Sequence, residues 1–219
     1  MIERILPDQV AAVEAFGDDP AAELFPQEWA AVARSTESRR QEFATGRACA
    51  RAALARLGWP AVAVPRGPRG DPLWPEGVVG SITHCAGYRA AAVALTKDVL
   101  SLGIDAEPDE ALPDRDMLNL IALEEERARL GELAATLPGT GWDRLLFSAK
   151  ESVYKAWFPL ARRWLGFESA HVSIDPYQGA FAARLLVAAP PVGGAPLTQL
   201  HGRWLADQGL LVTAVVVPA

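Results

Sequence analysis

The chain has 219 residues, half of them hydrophobic and 22% charged, with a net charge of −6. That length buries a core without disulfide or structural metal, and the acidic balance argues against nucleic acid as the main partner. Cys49 and Cys85 are the two cysteines and show no Cys-x-x-Cys spacing, so neither a zinc site nor an oxidising compartment is indicated. No apolar run reaches the length of a membrane span, and Met1 to Pro7 lack the basic and apolar segments of a secretory signal, which makes the cytoplasm the expected location.

In chain order, the pattern predicts a helix over 36–57, ended by Gly58 and Pro60, with Phe43, Ala50, Leu54 and Leu57 as its apolar stripe. A Pro- and Gly-rich loop over 60–77 follows. Segments 78–84, 89–95 and 99–107 are rich in Val, Ile, Ala and Leu, and their short connections predict an antiparallel meander. A loop over 109–116 leads to a charged helical segment, 122–133, and Pro138 to Gly141 close that insertion. A second helix over 142–160 precedes strands at 171–174, 181–187, 202–206 and 210–217. Helix followed by small antiparallel sheet, occurring twice, predicts an α+β fold of two similar halves, 1–107 and 108–219, with a ligand cleft between them.

Chemistry concentrates in two acidic segments. Asp105 and Glu107 stand at i and i+2 at the end of an apolar strand, so both side chains share a face. Glu151 and Lys155 are four apart on the second helix and share another, with Lys150 adjacent. Three carboxylates and two ammonium groups suit Mg²⁺ holding a pyrophosphate, because a hard dication takes carboxylate and phosphate oxygens while lysines neutralise the remaining charge. The same residues also fit a solvated strand end and an ordinary helix ion pair. Gly80 Ser81 Ile82 Thr83 His84 runs from a strand into a turn, offering hydroxyls and an imidazole where ligands bind. Arg40, Arg47 and Arg51, at i, i+7 and i+11, line one side of the first helix with Arg39 one position off, and Arg66 and Arg69 lie in the Gly-rich loop; all are candidate phosphate ligands or simply solvated cations.

Taken in order, Gly80 to His84, Gly103 to Pro108 and Phe147 to Trp157 resemble the motifs of 4′-phosphopantetheinyl transferases of the monomeric surfactin-synthetase and enterobactin type, with a likeness to actinobacterial members that serve polyketide, nonribosomal peptide, siderophore and lipid synthases. Residues before about Arg34 carry little of the resemblance, and Thr83 stands where relatives often have serine. The resemblance implies a pseudo-two-fold pair of α+β halves, each a helix on a small antiparallel sheet, with coenzyme A in the cleft. It implies transfer of phosphopantetheine from coenzyme A to a serine of an apo acyl or peptidyl carrier protein, with release of adenosine 3′,5′-bisphosphate. By motif, Asp105, Glu107 and Glu151 are expected to hold Mg²⁺, with Mn²⁺ as an alternative, and Lys150 and Lys155 to meet the phosphates. His84, with Arg39 and Arg47, is expected at the nucleotide's 3′-phosphate, Ser81 and Thr83 among the coenzyme A-binding residues, and Arg66 or Arg69 at the phosphates or adenine. Glu151 is the expected base, with one of Glu124, Glu125 or Glu126 as the alternative. A Mg²⁺-dependent hydrolase of coenzyme A or nucleotide pyrophosphates is the competing reading of the same carboxylates. A monomer with no nucleic-acid partner and no membrane span completes the expectation.

Overall fold

The backbone arranges its strands in two principal antiparallel sheets whose edge strands meet at a seam, and that seam carries the candidate site. The computed structural model describes residues 1–219, the side chain of Arg115 aside. A short 3-10 turn, Ile2–Ile5, precedes β1 (Ala11–Phe16), α1 (Pro26–Trp29) and α2 (Glu37–Arg56). Then come β2 (Val78–Cys85), β3 (Tyr88–Leu95) and β4 (Val99–Pro108). The helices α3 (Arg115–Ile121), α4 (Glu124–Thr136) and α5 (Trp142–Ala161) lead to β5 (Ala170–Asp175) and β6 (Ala180–Leu185). A two-stranded ribbon, β7 (Pro191–Val192) and β8 (Ala195–Pro196), precedes β9 (Gln199–Asp207) and β10 (Leu210–Pro218).

One sheet runs β1-β3-β2 and the other β4-β10-β9-β6-β5. The expected meander therefore holds for β2 and β3, which pair around Ala86 and Gly87, and fails at β4. That strand leaves β3 and pairs with β10, Asp105 opposite Thr213 and Glu107 opposite Leu211. The fold is α+β, as the patterning indicates, but β4, all of it except Pro108 in residues 1–107, hydrogen-bonds to the sheet of residues 108–219.

Period-two alternation explains the packing. On β3, Ala90, Ala92 and Ala94 join Ile104, Ala106, Val212 and Ala214 in a cluster capped by Ile2 and Ile5. The other face of β3, Ala91 and Val93, packs under Ala50, Ala53 and Leu54 of α2. On β10, Leu211, Val215 and Val217 face the α5 residues Leu145, Ala149, Val153 and Trp157. Each 20-residue helix thus covers its own sheet. Thr36 caps α2 by accepting from the Arg39 amide. Among the described residues no helix is long and apolar enough to cross a membrane.

Candidate active site

β4 approaches α5 so closely that no side chain fits between them at Gly103. A Cβ there would overlap the Ser152 carbonyl and lie 2.6 Å from the Ala156 nitrogen. Ser101 donates its hydroxyl to the Ala156 carbonyl at 2.6 Å, fixing the same contact. Two and four residues further on, the same face of β4 presents Asp105 and Glu107 toward α5. Lys155 donates to Asp105 Oδ1 at 2.8 Å and to the Ile104 carbonyl at 3.0 Å, and Arg144 donates to Glu107 Oε2 at 3.0 Å.

At the seam, hydroxyls of β2 replace a backbone ladder. Ser81 Oγ accepts from the Ile104 amide at 3.1 Å, and Thr83 Oγ1 accepts from the Ala106 amide at 3.0 Å while donating to Asp105 Oδ1 at 3.2 Å. Both hydroxyl residues are buried, so the structure employs them in joining the sheets and in orienting Asp105. Asp105 Oδ2 is buried and has no hydrogen-bond partner. Burial, together with the Asp105 charge, pushes the Glu107 and Glu151 carboxyls above the ordinary carboxylate range, so the three acids stand near enough to repel one another.

This donor set fits a hard dication: oxygen ligands, an orphaned buried carboxylate oxygen and mutual repulsion that positive charge would relieve. Among the described residues no three acidic, histidine or cysteine side chains already form a closed coordination set. Arg144 holds Glu107 Oε2, and Lys155 with Thr83 holds Asp105 Oδ1, which leaves Asp105 Oδ2 as the unpartnered oxygen.

A cavity of about 410 Å³ opens beside the acids, lined by Glu151, Lys155, Tyr154, Ser81, Arg69, Trp74 and Arg162 among others. A second cavity of about 200 Å³ is lined by Arg39, Glu42, Phe43, Arg47, Arg66 and His84. Gly70, Pro72 and Ile82 line both, so the two are neighbours along one path. Arg39 Nη1 lies 3.1 Å from His84 Nε2. Partial desolvation at the cavity wall, followed by the charges of Arg39, Lys155, Arg89 and Arg47, pushes the His84 imidazolium down to about 4, although the side chain keeps 44% of its exposure. Arg47 is buried, donates Nε to the Val64 carbonyl at 2.6 Å and lies over the Phe43 ring, and burial lowers it to about 10.

Several expectations meet a different placement. Arg40 pairs with Glu37, and Arg51 reaches the buried Glu28, so the three-arginine stripe contributes Arg47 alone to the cavity, joined by Arg39. Lys150 lines neither of the two cavities just described. Its ammonium is sealed against Glu126 at 2.7 Å and the Phe167 carbonyl at 2.8 Å. Glu126 in turn accepts from the Leu123 and Val172 amides, which removes it as a candidate base, while Glu124 and Glu125 are exposed. Sequence reasoning missed Arg144, although Arg144, Glu151 and Lys155 stand at i, i+7 and i+11, the spacing of a single helix face. It also missed Trp74, whose indole donates to the Gly80 carbonyl at 2.9 Å and occupies the space a side chain at residue 80 would need.

Residues 27–94 match the family described as the 4′-phosphopantetheinyl transferase N-terminal domain, and residues 101–193 match the 4′-phosphopantetheinyl transferase superfamily. The 4′-phosphopantetheinyl transferase Svp of Streptomyces mobaraensis is 54% identical over 222 residues, covering all of this chain and 90% of that one. The 4′-phosphopantetheinyl transferase PptT of Mycobacterium tuberculosis (strain ATCC 25618 / H37Rv) is 45% identical, covering 99% of this chain and 98% of that one. Enterobactin synthase component D of Escherichia coli (strain K12) is more distant, 35% identical over 136 residues and covering 61% of this chain and 62% of that one. The chain belongs to the 4′-phosphopantetheinyl transferase superfamily, with actinobacterial relatives that span its whole length.

Proposed function

We propose that the protein transfers the 4′-phosphopantetheine group of coenzyme A to a serine of an apo acyl or peptidyl carrier protein, releasing adenosine 3′,5′-bisphosphate. The observation that carries this reading is the adjacency of two cavities, one lined by Arg39, Arg47, Arg66 and His84 and the other by Arg69, Lys155 and Glu151, with Lys155 joined to Asp105. A nucleotide phosphate in the first and a pyrophosphate with its pantetheine arm in the second would span one molecule of coenzyme A. The family and the names of the full-length relatives favour transfer over hydrolysis.

Asp105, Glu107 and Glu151 are the residues that would hold Mg²⁺, or Mn²⁺ in its place. The bound dication would neutralise the pyrophosphate and the charge that builds on the leaving oxygen. Lys155, anchored on Asp105 and the Ile104 carbonyl, is positioned to add a phosphate contact without losing its orientation. The serine oxygen of the carrier forms a bond to the phosphorus bearing the pantetheine. The bond from that phosphorus to the bridging oxygen breaks, and the electron pair leaves with adenosine 3′,5′-bisphosphate. Glu151, on the cavity wall, accepts the serine proton in this reading. Lys150 is reassigned to holding α5 against α4. The division into halves at 107/108, a monomeric state and a cytoplasmic location belong to the same reading, the first supported by one long helix on each sheet.

Intact-mass analysis of an apo carrier protein incubated with the enzyme, coenzyme A and Mg²⁺ tests it. The expected result is a gain of one phosphopantetheine, absent with Asp105→Ala. Cleavage of coenzyme A with every carrier unmodified would establish hydrolysis instead.

A further inference from the structure

The second cavity already contains an acid where its proposed ligand would bring another. Glu42 on α2 keeps only 20% of its side-chain exposure and lies among two guanidinium groups and an imidazole. It pairs with Arg39, its Oε1 is 3.4 Å from His84 Nδ1, and its Oε2 is 3.7 Å from Arg89 Nη2. Oε1 is sealed from solvent and makes no well-aligned hydrogen bond. In a pocket for a phosphate monoester such a carboxylate repels the ligand, unless it supplies something that the phosphate needs.

The ring of His84 indicates what that is. A guanidinium only donates, so the 3.1 Å contact to Arg39 Nη1 makes Nε2 the accepting nitrogen and leaves the ring proton on Nδ1, facing Glu42. The charged groups around the ring are Arg39, Glu42 and Arg47 of α2, Arg66 of the loop, Arg89 of β3 and Lys155 of α5; Arg89 also pairs with Asp18 and Lys155 with Asp105, and Glu42 is the acid that touches the ring. With this surplus of positive charge the imidazole stays neutral, and its Nε2 lone pair would oppose a phosphate oxygen. A phosphate dianion reverses the balance, because it draws Arg39 to itself and adds two negative charges beside the ring.

We propose that Glu42 is a positioning residue that couples phosphate binding to proton uptake: it takes the anion's place beside Arg39 and Arg89 in the free protein, and when phosphate enters it yields Arg39 while keeping the Nδ1–H of His84. Nε2 then takes one proton from solvent and donates it in a hydrogen bond to a phosphate oxygen. No covalent bond other than N–H forms. The coenzyme A reading supplies only the source of the phosphate, its 3′-monoester.

Titration calorimetry of the intact protein with coenzyme A and with 3′-dephospho-coenzyme A, in buffers of different ionisation enthalpy, measures the protons exchanged. Net uptake is expected with coenzyme A and none with the dephospho compound. Linkage then makes coenzyme A affinity fall with rising pH, by up to about tenfold per unit for one proton, while the dephospho compound stays flat. Glu42→Gln is expected to lose the uptake and flatten the slope, and Glu42→Asp to retain part of both. Coenzyme A binding to the parent protein without uptake that depends on the 3′-phosphate overturns the proposal, and needs no variant to do so. Uptake that persists in Glu42→Gln overturns the role of Glu42. If coenzyme A does not bind, the functional reading falls instead, and the same comparison of adenosine 3′-phosphate with adenosine decides the proton coupling by itself.

Discussion

The Lys150 and Glu126 pair shows how a residue can belong to a motif for reasons other than substrate contact. Their side chains keep 2% and 1% of their exposure, and Glu126 closes four polar groups at once: the Lys150 ammonium, the Leu123 and Val172 amides and its own charge. Removing one partner strands a buried charge, which typically costs about 3–5 kcal/mol, whereas neutralising both leaves only the amides to satisfy. Lys150→Met should therefore destabilise the protein by about 3–5 kcal/mol in urea unfolding, and adding Glu126→Gln should recover a substantial part. A phosphate-binding Lys150 would behave differently: the double variant would regain stability but no affinity for coenzyme A. Thr83 deserves a parallel test at the seam. Thr83→Val deletes the acceptor for the Ala106 amide and the donor to Asp105, so a loss of about 1–3 kcal/mol is expected, together with weaker transfer because Asp105 loses its orientation.

At the scale of elements, the packing of β4 on α5 decides where the acids go. Gly103 permits that packing, since any Cβ would strike the helix backbone, which cannot give way as a flexible side chain can. Gly103→Ala should lower stability by roughly 1–3 kcal/mol or more and should depress transfer further than the same loss of stability placed elsewhere, because it separates Asp105 from Lys155 and Glu151. Comparing its activity with that of an equally destabilised core variant checks this. The motif around Gly103 was readable in the sequence as a strand end with two acids on one face, since alternation is a local property. The two long helices were readable for the same reason, their apolar stripes recurring over 20 residues. What was not readable is non-local. β1 was missed because Ala11 to Phe16 has little alternation of its own and gains its place by pairing with β3. The departure of β4 to β10 was missed because a short connection between β3 and β4 looks the same whether the strands pair or separate. Arg40 and Arg51 share the spacing of Arg47, but Glu37 with the Val32 carbonyl holds the first and Glu28 with the Glu23 carbonyl holds the second away from the cavity.

For the molecule as a whole, net charge and local charge point in opposite directions. The chain carries −6, and coenzyme A is a polyanion, so their overall charges repel. Yet the two cavities are lined by Arg39, Arg47, Arg66, Arg69, Lys155 and Arg162, against the acids Glu42, Asp71 and Glu151. Field lines concentrate in a cleft of one sign with low-dielectric walls, whereas the diffuse surface charge is screened within about 10 Å at 0.1 M salt. The cleft should therefore govern encounter, and the sign of the salt effect reports which term prevails. Repulsion by the whole molecule would make association faster as salt rises. Attraction by the cleft makes it slower, by about tenfold between roughly 50 mM and 500 mM salt. Trp74, on the cavity wall, offers a fluorescence signal for stopped-flow mixing with coenzyme A at fixed Mg²⁺. A rate that falls with salt in the parent and falls less steeply in Arg66→Gln and Arg69→Gln places the steering in the cleft; a rate that rises with salt would mean that the net charge, and not these side chains, controls the approach of the substrate.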